Sequence, residues 1–354
     1  MLARSGRAIL LSALVVVVAP AAGAAVASRL SPDEFNLLAE RLKQSGSYKV
    51  RIQAALLLGA AGGSDALPLL VAVLKDDSRA SVRAAAALGL GALGDERAYA
   101  PLIESLNEPD PFVRAQIGKS IVELSRGSSG GMRLWAAMQS TPKTTRILGT
   151  HLLATLGAEG VPALLIASSE PDPEIGAAVK DELLRLPQSQ LKAGLLLALT
   201  LHDARTGVPA ATMLADGLNF DAIPALADAV VDPQQPPTVA AAARTALKRL
   251  SDAIDLRVQA RRADSPDSGE RTRALVLIAA KGGDEAQDLL VAALDDDDSM
   301  VLAQAVSGLA EVGDAEALPA LRALEGRPPP IDGLVRNAEQ RIERTHLSRS
   351  DLLK

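Results

Sequence analysis

Residues 74–95 read LKDDSRASVRAAAALGLGALGD. An acidic turn, Asp76-Asp77, leads to Val82-Arg83, then to a run of Ala and Leu, then to Gly94-Asp95. Eleven residues from Arg83 to Gly94 make three turns of an α-helix. Glycine takes the left-handed conformation that ends a helix, and Asp95 caps the next one. The spacing recurs. Val50-Arg51, Val82-Arg83, Val113-Arg114 and Thr145-Arg146 follow one another at intervals of 32, 31 and 32 residues. Gly62 and Gly157 stand eleven residues after Arg51 and Arg146, and Gly313 stands eleven after Leu302, where the arginine is replaced. Pro68, Pro101, Pro162 and Pro319 lie five to seven residues beyond these glycines, in or near the first turn of a second helix, where proline is tolerated. Asp314 stands where Asp95 does and Ser64 one residue further on, and both are expected to cap the next helix.

The period is thus two antiparallel helices in about 30 residues. Neither helix can bury its apolar face alone, so the units must stack. The expected fold is all-α: a right-handed α-solenoid of about nine or ten stacked helix pairs. Composition agrees. Apolar residues make up 48% of the 354 residues but aromatics only 2%, so the core must be built from Ala, Leu, Val and Ile, unlike that of a β-sandwich. Zero cysteines exclude disulfides, cysteine-zinc sites and thiol chemistry.

The phased motif resembles the HEAT repeat, in the short form also known from PBS-lyase proteins. The residues that carry the likeness are Leu74 to Asp77 with Val82 to Ala86, Leu88 to Asp95, and Leu106-Asn107-Glu108-Pro109-Asp110-Pro111-Phe112-Val113-Arg114. Leu294 to Val301 is a third match, without the arginine. The resemblance implies a superhelical repeat protein in which Asp–Arg ladders are structural. It also implies an enzymatic alternative, since some relatives are bilin lyases.

The chain divides by composition. Arg4 and Arg7, the apolar run Ala8 to Val18, Pro20 and two A-x-A sites read as a signal peptide over 1–27, cleaved after Ala24 or Ala27. The apolar run is shorter than a membrane-spanning helix requires. Cleavage after Ala24 removes both arginines and takes the formal net charge from −6 to −8. Export to the periplasm or full secretion is expected, with membrane anchoring by an uncleaved signal as the alternative. Regular repeats are expected over 28–170 and again, with a capping helix, over 270–346, the last helix covering about Ile331 to His346. Divergent helical repeats with loops fill 171–269, and 347–354 is a tail. Ser31-Pro32-Asp33-Glu34 has the form of a capping box.

No constellation points to catalysis, a cofactor or a metal. His151, His202 and His346 have no metal spacing, and Gly127 to Gly131 lacks the Lys-Ser/Thr of a phosphate loop. Asp295 to Asp298 lacks the spaced frame of a calcium loop and falls where other units carry an acidic turn. An acidic, aromatic-poor chain is also ill suited to nucleic acid. Arg51, Arg83, Arg114 and Arg146 are read as structural, turning back to acids of the loops such as Asp76, Asp77, Glu108 and Asp110. Gly62, Gly94, Gly157 and Gly313 are read as helix stops.

One surface remains for function. Counted from each Val-Arg, positions two, five and nine residues on should face the concave side. They are Gln53, Leu56 and Ala60; Ala85, Leu88 and Ala92; Gln116, Lys119 and Glu123; Leu148, His151 and Thr155; Gln304, Ser307 and Glu311. Gln53, Gln116, Lys119, Glu123, His151, Gln304 and Glu311 form the candidate partner-binding row. The expected function is a non-catalytic exported scaffold that holds another protein on this face.

Overall fold

A computed structural model describes residues 30–127 and 129–352, with side chains through Thr345. The expected signal peptide over 1–27, with its cleavage sites, lies outside the described residues. Twenty α-helices and no strand occur among those residues. They run in ten pairs: α1 (Pro32–Gln44) and α2 (Tyr48–Ala61), α3 (Leu67–Asp76) and α4 (Ala80–Leu93), α5 (Tyr99–Glu104) and α6 (Pro111–Leu124), α7 (Gly130–Met138) and α8 (Lys143–Thr155), α9 (Val161–Ala167) and α10 (Pro173–Arg185). The second five are α11 (Gln188–Leu199) and α12 (Ala204–Asp216), α13 (Ile223–Val231) and α14 (Pro237–Arg249), α15 (Leu256–Ala263) and α16 (Ser268–Lys281), α17 (Asp284–Ala292) and α18 (Ser299–Val312), α19 (Leu318–Arg322) and α20 (Ile331–Leu352). The fold is an all-α solenoid.

Local chemistry sets the helix ends. Ser31 and Glu34 form the expected capping box: Ser31 Oγ accepts from Glu34 N at 3.3 Å, and the Ser31 N–H donates to Glu34 Oε2 at 2.9 Å. Gly94 (φ 68°) and Gly157 (φ 62°) are left-handed as expected. Gly62 and Gly313 are not. Gly62 is right-handed and Gly313 extended; both are small because a Cβ would sit 2.5 Å and 2.6 Å from the carbonyl oxygens of Leu58 and Leu309. Asp95 and Asp314 cap the following turn by accepting from Arg97 N and Glu316 N, whereas Ser64 makes no such bond. The last helix continues past His346 to Leu352, and its buried Ile331, Val335, Ala338 and Ile342 follow the three- and four-residue period of a face laid on the stack.

The even-numbered helices form the spine. Consecutive members pack from α2 to α10 and again from α12 to α20. Between the two rows α12 packs on α9 and α11. Helix α9 (VPALLIA) has no polar side chain, and Val161 to Leu165 and Ala167 are buried. A helix apolar all round must be enclosed, and α9 is covered by α7, α8, α10, α11 and α12. It is the joint between the rows. The core passes through α16, where Val276 and Leu277 face one cluster while Leu275 and Ile278 face the next.

Candidate functional site

The arginines come first, because they define what is structural. Each occupies the fourth position of an even-numbered helix. In three units Nη1 donates to the carbonyl two residues before that helix's own cap, while Nε and Nη2 fork onto a carboxylate two residues before the next unit's cap. Arg51 holds Ser45 O (2.8 Å) and Asp77 (2.8 and 3.1 Å). Arg83 holds Asp77 O (2.9 Å) and Glu108 (3.2 and 2.6 Å). Arg271 holds Ser265 O (2.9 Å) and Asp296 (2.8 and 2.9 Å). Bidentate pairing of this kind ties one unit to the next. The fork of Arg83 holds the Glu108 carboxyl below the ordinary glutamate range, and that of Arg271 does the same for Asp296. Burial pushes Asp77 upward, but hydrogen bonds from Arg51 and the Arg79 N–H, with the charges of Arg51 and Arg83, outweigh it and the net shift is downward.

Arg114 departs from the expectation of an acidic partner. Its Nη1 donates to the carbonyls of Glu108 (2.5 Å) and Pro109 (2.8 Å), and no carboxylate meets it, because Ser140 stands where Asp77, Glu108 and Asp296 stand. Asp110 caps α6 instead, accepting from Phe112 N and Val113 N. Arg146 reaches only Thr141 O (2.8 Å), and its Nε is buried without a partner. Arg271 is a rung that the Val-Arg pattern misses, since Glu270 precedes it; its signal was Gly282, eleven residues on.

Helices α2, α4 and α6 pack closely. A Cβ on Gly59 would lie 2.3 Å from Gly89 Cα, and one on Gly91 would lie 2.9 Å from Ser120 Cβ. Helix α8 stands further off. A Cβ on Gly118 of α6 would meet only Leu152 Cδ2, at 3.3 Å. The separation opens a groove of about 670 Å³ between α6 and α8. Leu106, Ala115, Gly118, Val122, Leu148 and Leu152 give it an apolar floor, and Arg114, Lys119, Glu123, Arg126 and His151 a charged rim. Glu123 pairs with Arg126 (2.7 Å) and His151 Nδ1 lies 3.3 Å from Glu182. Lys119 has no partner among the described residues. Leu56 (41% exposed) and Leu88 (39%) extend the apolar surface along α2 and α4.

The predicted row divides accordingly. Gln53, Leu56, Ala60, Leu88, Ala92, Lys119, Glu123, Leu148, His151 and Thr155 are exposed, and Lys119, Glu123, Leu148, His151 and Thr155 line the groove. Gln116 and Ala85 are buried, contrary to expectation. Close packing of α4 on α6 turns that side of α6 into an interface, with Ser120 Oγ donating to Gln116 O (2.9 Å), and the free face is rotated toward Ala115, Gly118 and Val122. Gln304, Ser307 and Glu311 are half-buried. Glu311 lies 3.5 Å from Arg244 Nε and 3.3 Å from Lys248 Nζ, both on α14. Those side chains reach Glu311 of α18 beside Ala279 and Ala280 of α16, so the face there is already closed by its own charges. Glu311 and Gln304 belong to that closure rather than to an open row.

Other polar groups are tied up singly. His202 Nε2 lies 2.8 Å from Asp232. Asp296 and Asp298 of the acidic run serve Arg271 and the cap of α18. Among the described residues no three His, Asp or Glu side chains converge to hold a metal ion.

The solenoid with its arginine–carboxylate ladder defines the class, a repeat protein of stacked helix pairs. The family profile described as HEAT repeats matches residues 35–121 and 254–341, so HEAT repeats are present over α1 to α6 and α15 to α20. The first match stops where the α6/α8 groove opens, and the α7–α8 pair, which carries Arg146 and is followed by Gly157, lies outside it. Among solved structures the chain is similar to an engineered protein (19% identity, 87% of this chain and 98% of that one, TM-score 0.42). It is also similar to human deoxyhypusine hydroxylase in complex with glycerol (17% identity, 88% and 96%, TM-score 0.27). Neither likeness bears on function. No curated protein matches the chain.

Proposed function

We propose that this protein is a non-catalytic scaffold, exported to the cell envelope, that holds another protein on the free face of α2 to α8. The observation that supports the reading is the groove between α6 and α8, with exposed Leu148 at its floor and Leu88 and Leu56 continuing beyond it. Apolar side chains left uncovered in a row beside a charged rim suit an extended interface with a few anchors. Crosslinking in the native envelope followed by co-purification tests it: a protein captured by the wild type and lost from Leu148→Glu supports the scaffold, and capture unchanged by Leu148→Glu and Leu88→Glu together refutes it. Export has its own test. The mature chain should begin at Ala25 or Ser28, and a mature chain beginning at Met1 in the cytoplasmic fraction refutes it. A tetrapyrrole absorbing in the visible spectrum of the purified protein would favour the lyase alternative.

A further inference from the structure

The ladder has a rung whose acid is missing. In Arg51, Arg83 and Arg271 the same two nitrogens, Nε and Nη2, take both oxygens of one carboxylate from the next unit. Arg114 holds its Nη1 on backbone carbonyls as they do, which fixes the guanidinium in the same way, yet its Nε and Nη2 donate to no protein group among the described residues. The acid position opposite it is Ser140. Arg114 also lines the α6/α8 groove. A pre-oriented, unfilled fork therefore stands beside an apolar floor. The charged side chains lining the groove have one sign in excess: Arg114, Lys119 and Arg126 against Glu123, in a chain whose acids outnumber its bases by 43 to 37.

We infer that the groove between α6 and α8 takes an acidic, apolar segment of another protein, one carboxylate of which occupies the fork of Arg114 and completes the ladder from outside. This rests on the scaffold reading and adds the chemistry of the partner. A planar fork discriminates for a carboxylate in one orientation, so Arg114 sets the register, while apolar side chains of the segment fill the space over Leu148 and Leu152. Lys119 meets a second acid further along α6. From Arg114 to Glu123 is about 14 Å at 1.5 Å per residue, which suits a segment of two to three helical turns.

The test is selection of a random short-peptide library displayed on phage against the purified full chain, followed by affinity measurement of the recovered peptides by fluorescence polarisation. Recovered peptides should place Asp or Glu beside Leu, Ile or Phe. Arg114→Gln should weaken them about tenfold, the loss of one charge-assisted bidentate contact, and Lys119→Glu should weaken them further. Arg114→Gln also gives up two bonds to the loop, so a variant that keeps the arginine decides the matter. Ser140→Asp supplies the missing acid from within; it should raise the unfolding midpoint and weaken the same peptides about tenfold. Peptides that are lost with Leu148→Glu but lack acidic residues, or are indifferent to Ser140→Asp, overturn this inference and leave the scaffold reading standing. Failure to recover any Leu148-dependent peptide overturns both. Concentration-dependent self-association abolished by Ser140→Asp would overturn it as well, by assigning the groove to a second copy of the chain.

Discussion

The close crossing of α2 and α4 makes a sharp demand on two glycines. Gly59→Ala places a Cβ 2.3 Å from Gly89 Cα, 2.5 Å from its oxygen and 2.7 Å from its carbonyl carbon. These are backbone atoms on a helix that is itself packed, so relief requires the two helices to part. Overpacking by one carbon costs about 1–3 kcal/mol, and a backbone obstacle belongs at the upper end. Alanine returns about 1 kcal/mol of helix propensity. The expected net loss is about 2 kcal/mol. Gly176, in α10, is the control: no atom lies within 4 Å of its added Cβ, so Gly176→Ala should stabilise by about 0.5–1 kcal/mol. Urea unfolding followed by far-ultraviolet circular dichroism measures both. Because repeats unfold partly as separate units, the comparison should use the first transition and confirm it by hydrogen exchange of the α2 amides. A Gly59→Ala chain as resistant as the wild type would refute the argument that the α2/α4 approach requires glycine, and so would a Gly176→Ala chain weakened to the same degree.

Three further outcomes follow from the ladder and the closure. Glu108→Gln leaves Arg83, whose side chain is 16% exposed, without its counter-charge; the cost should fall between that of exposed and buried pairs, about 1–2 kcal/mol, and in a double-mutant cycle of unfolding midpoints Arg83→Gln should then add only the loss of its bond to Asp77 O. Glu108, Asp77 and Asp296 all have lowered carboxyl pKa values, so their contribution is present above the unfolded value of about 4 and is lost as pH falls through the folded values. The thermal midpoint should therefore drop steeply below about pH 4, less steeply in Glu108→Gln. Glu311→Gln should cost under about 1 kcal/mol yet loosen the contact of α14 with α18, read as a faster exchange of the amides of α16 and a larger radius of gyration in solution scattering; unchanged values would show that the Arg244, Lys248 and Glu311 contacts do not hold the curvature.

The repeat and its helix pairs were legible from Val-Arg spacing because helix length, glycine stops and capping are local properties of a few residues. The ladder was legible in kind, since only a forked cation repeating in phase with an acidic turn explains Arg83 and Glu108. Its membership was not. Arg271 was hidden by Glu270 in the valine position, and the lone Arg114 was counted as paired because a nearby acid, Asp110, exists in the loop but is spent on a cap. The candidate row was divided by the packing of the helices. Lys119, Glu123, Leu148 and His151 do share the groove, while Gln116 turned inward.

What one strand of residues determined here is its own periodicity: which segments coil, where they stop, and that they must stack to hide Leu and Ala. Interhelical distance lay beyond it. Whether neighbouring helices touch through Gly59 and Gly89 or stand apart across Leu152 depends on residues about 30 positions apart meeting at angstrom separation, and that separation decides which face is covered. Only the assembled stack rotated Gln116 into an interface, drew Arg244 to Glu311 beside α16, and left open the space beside Arg114.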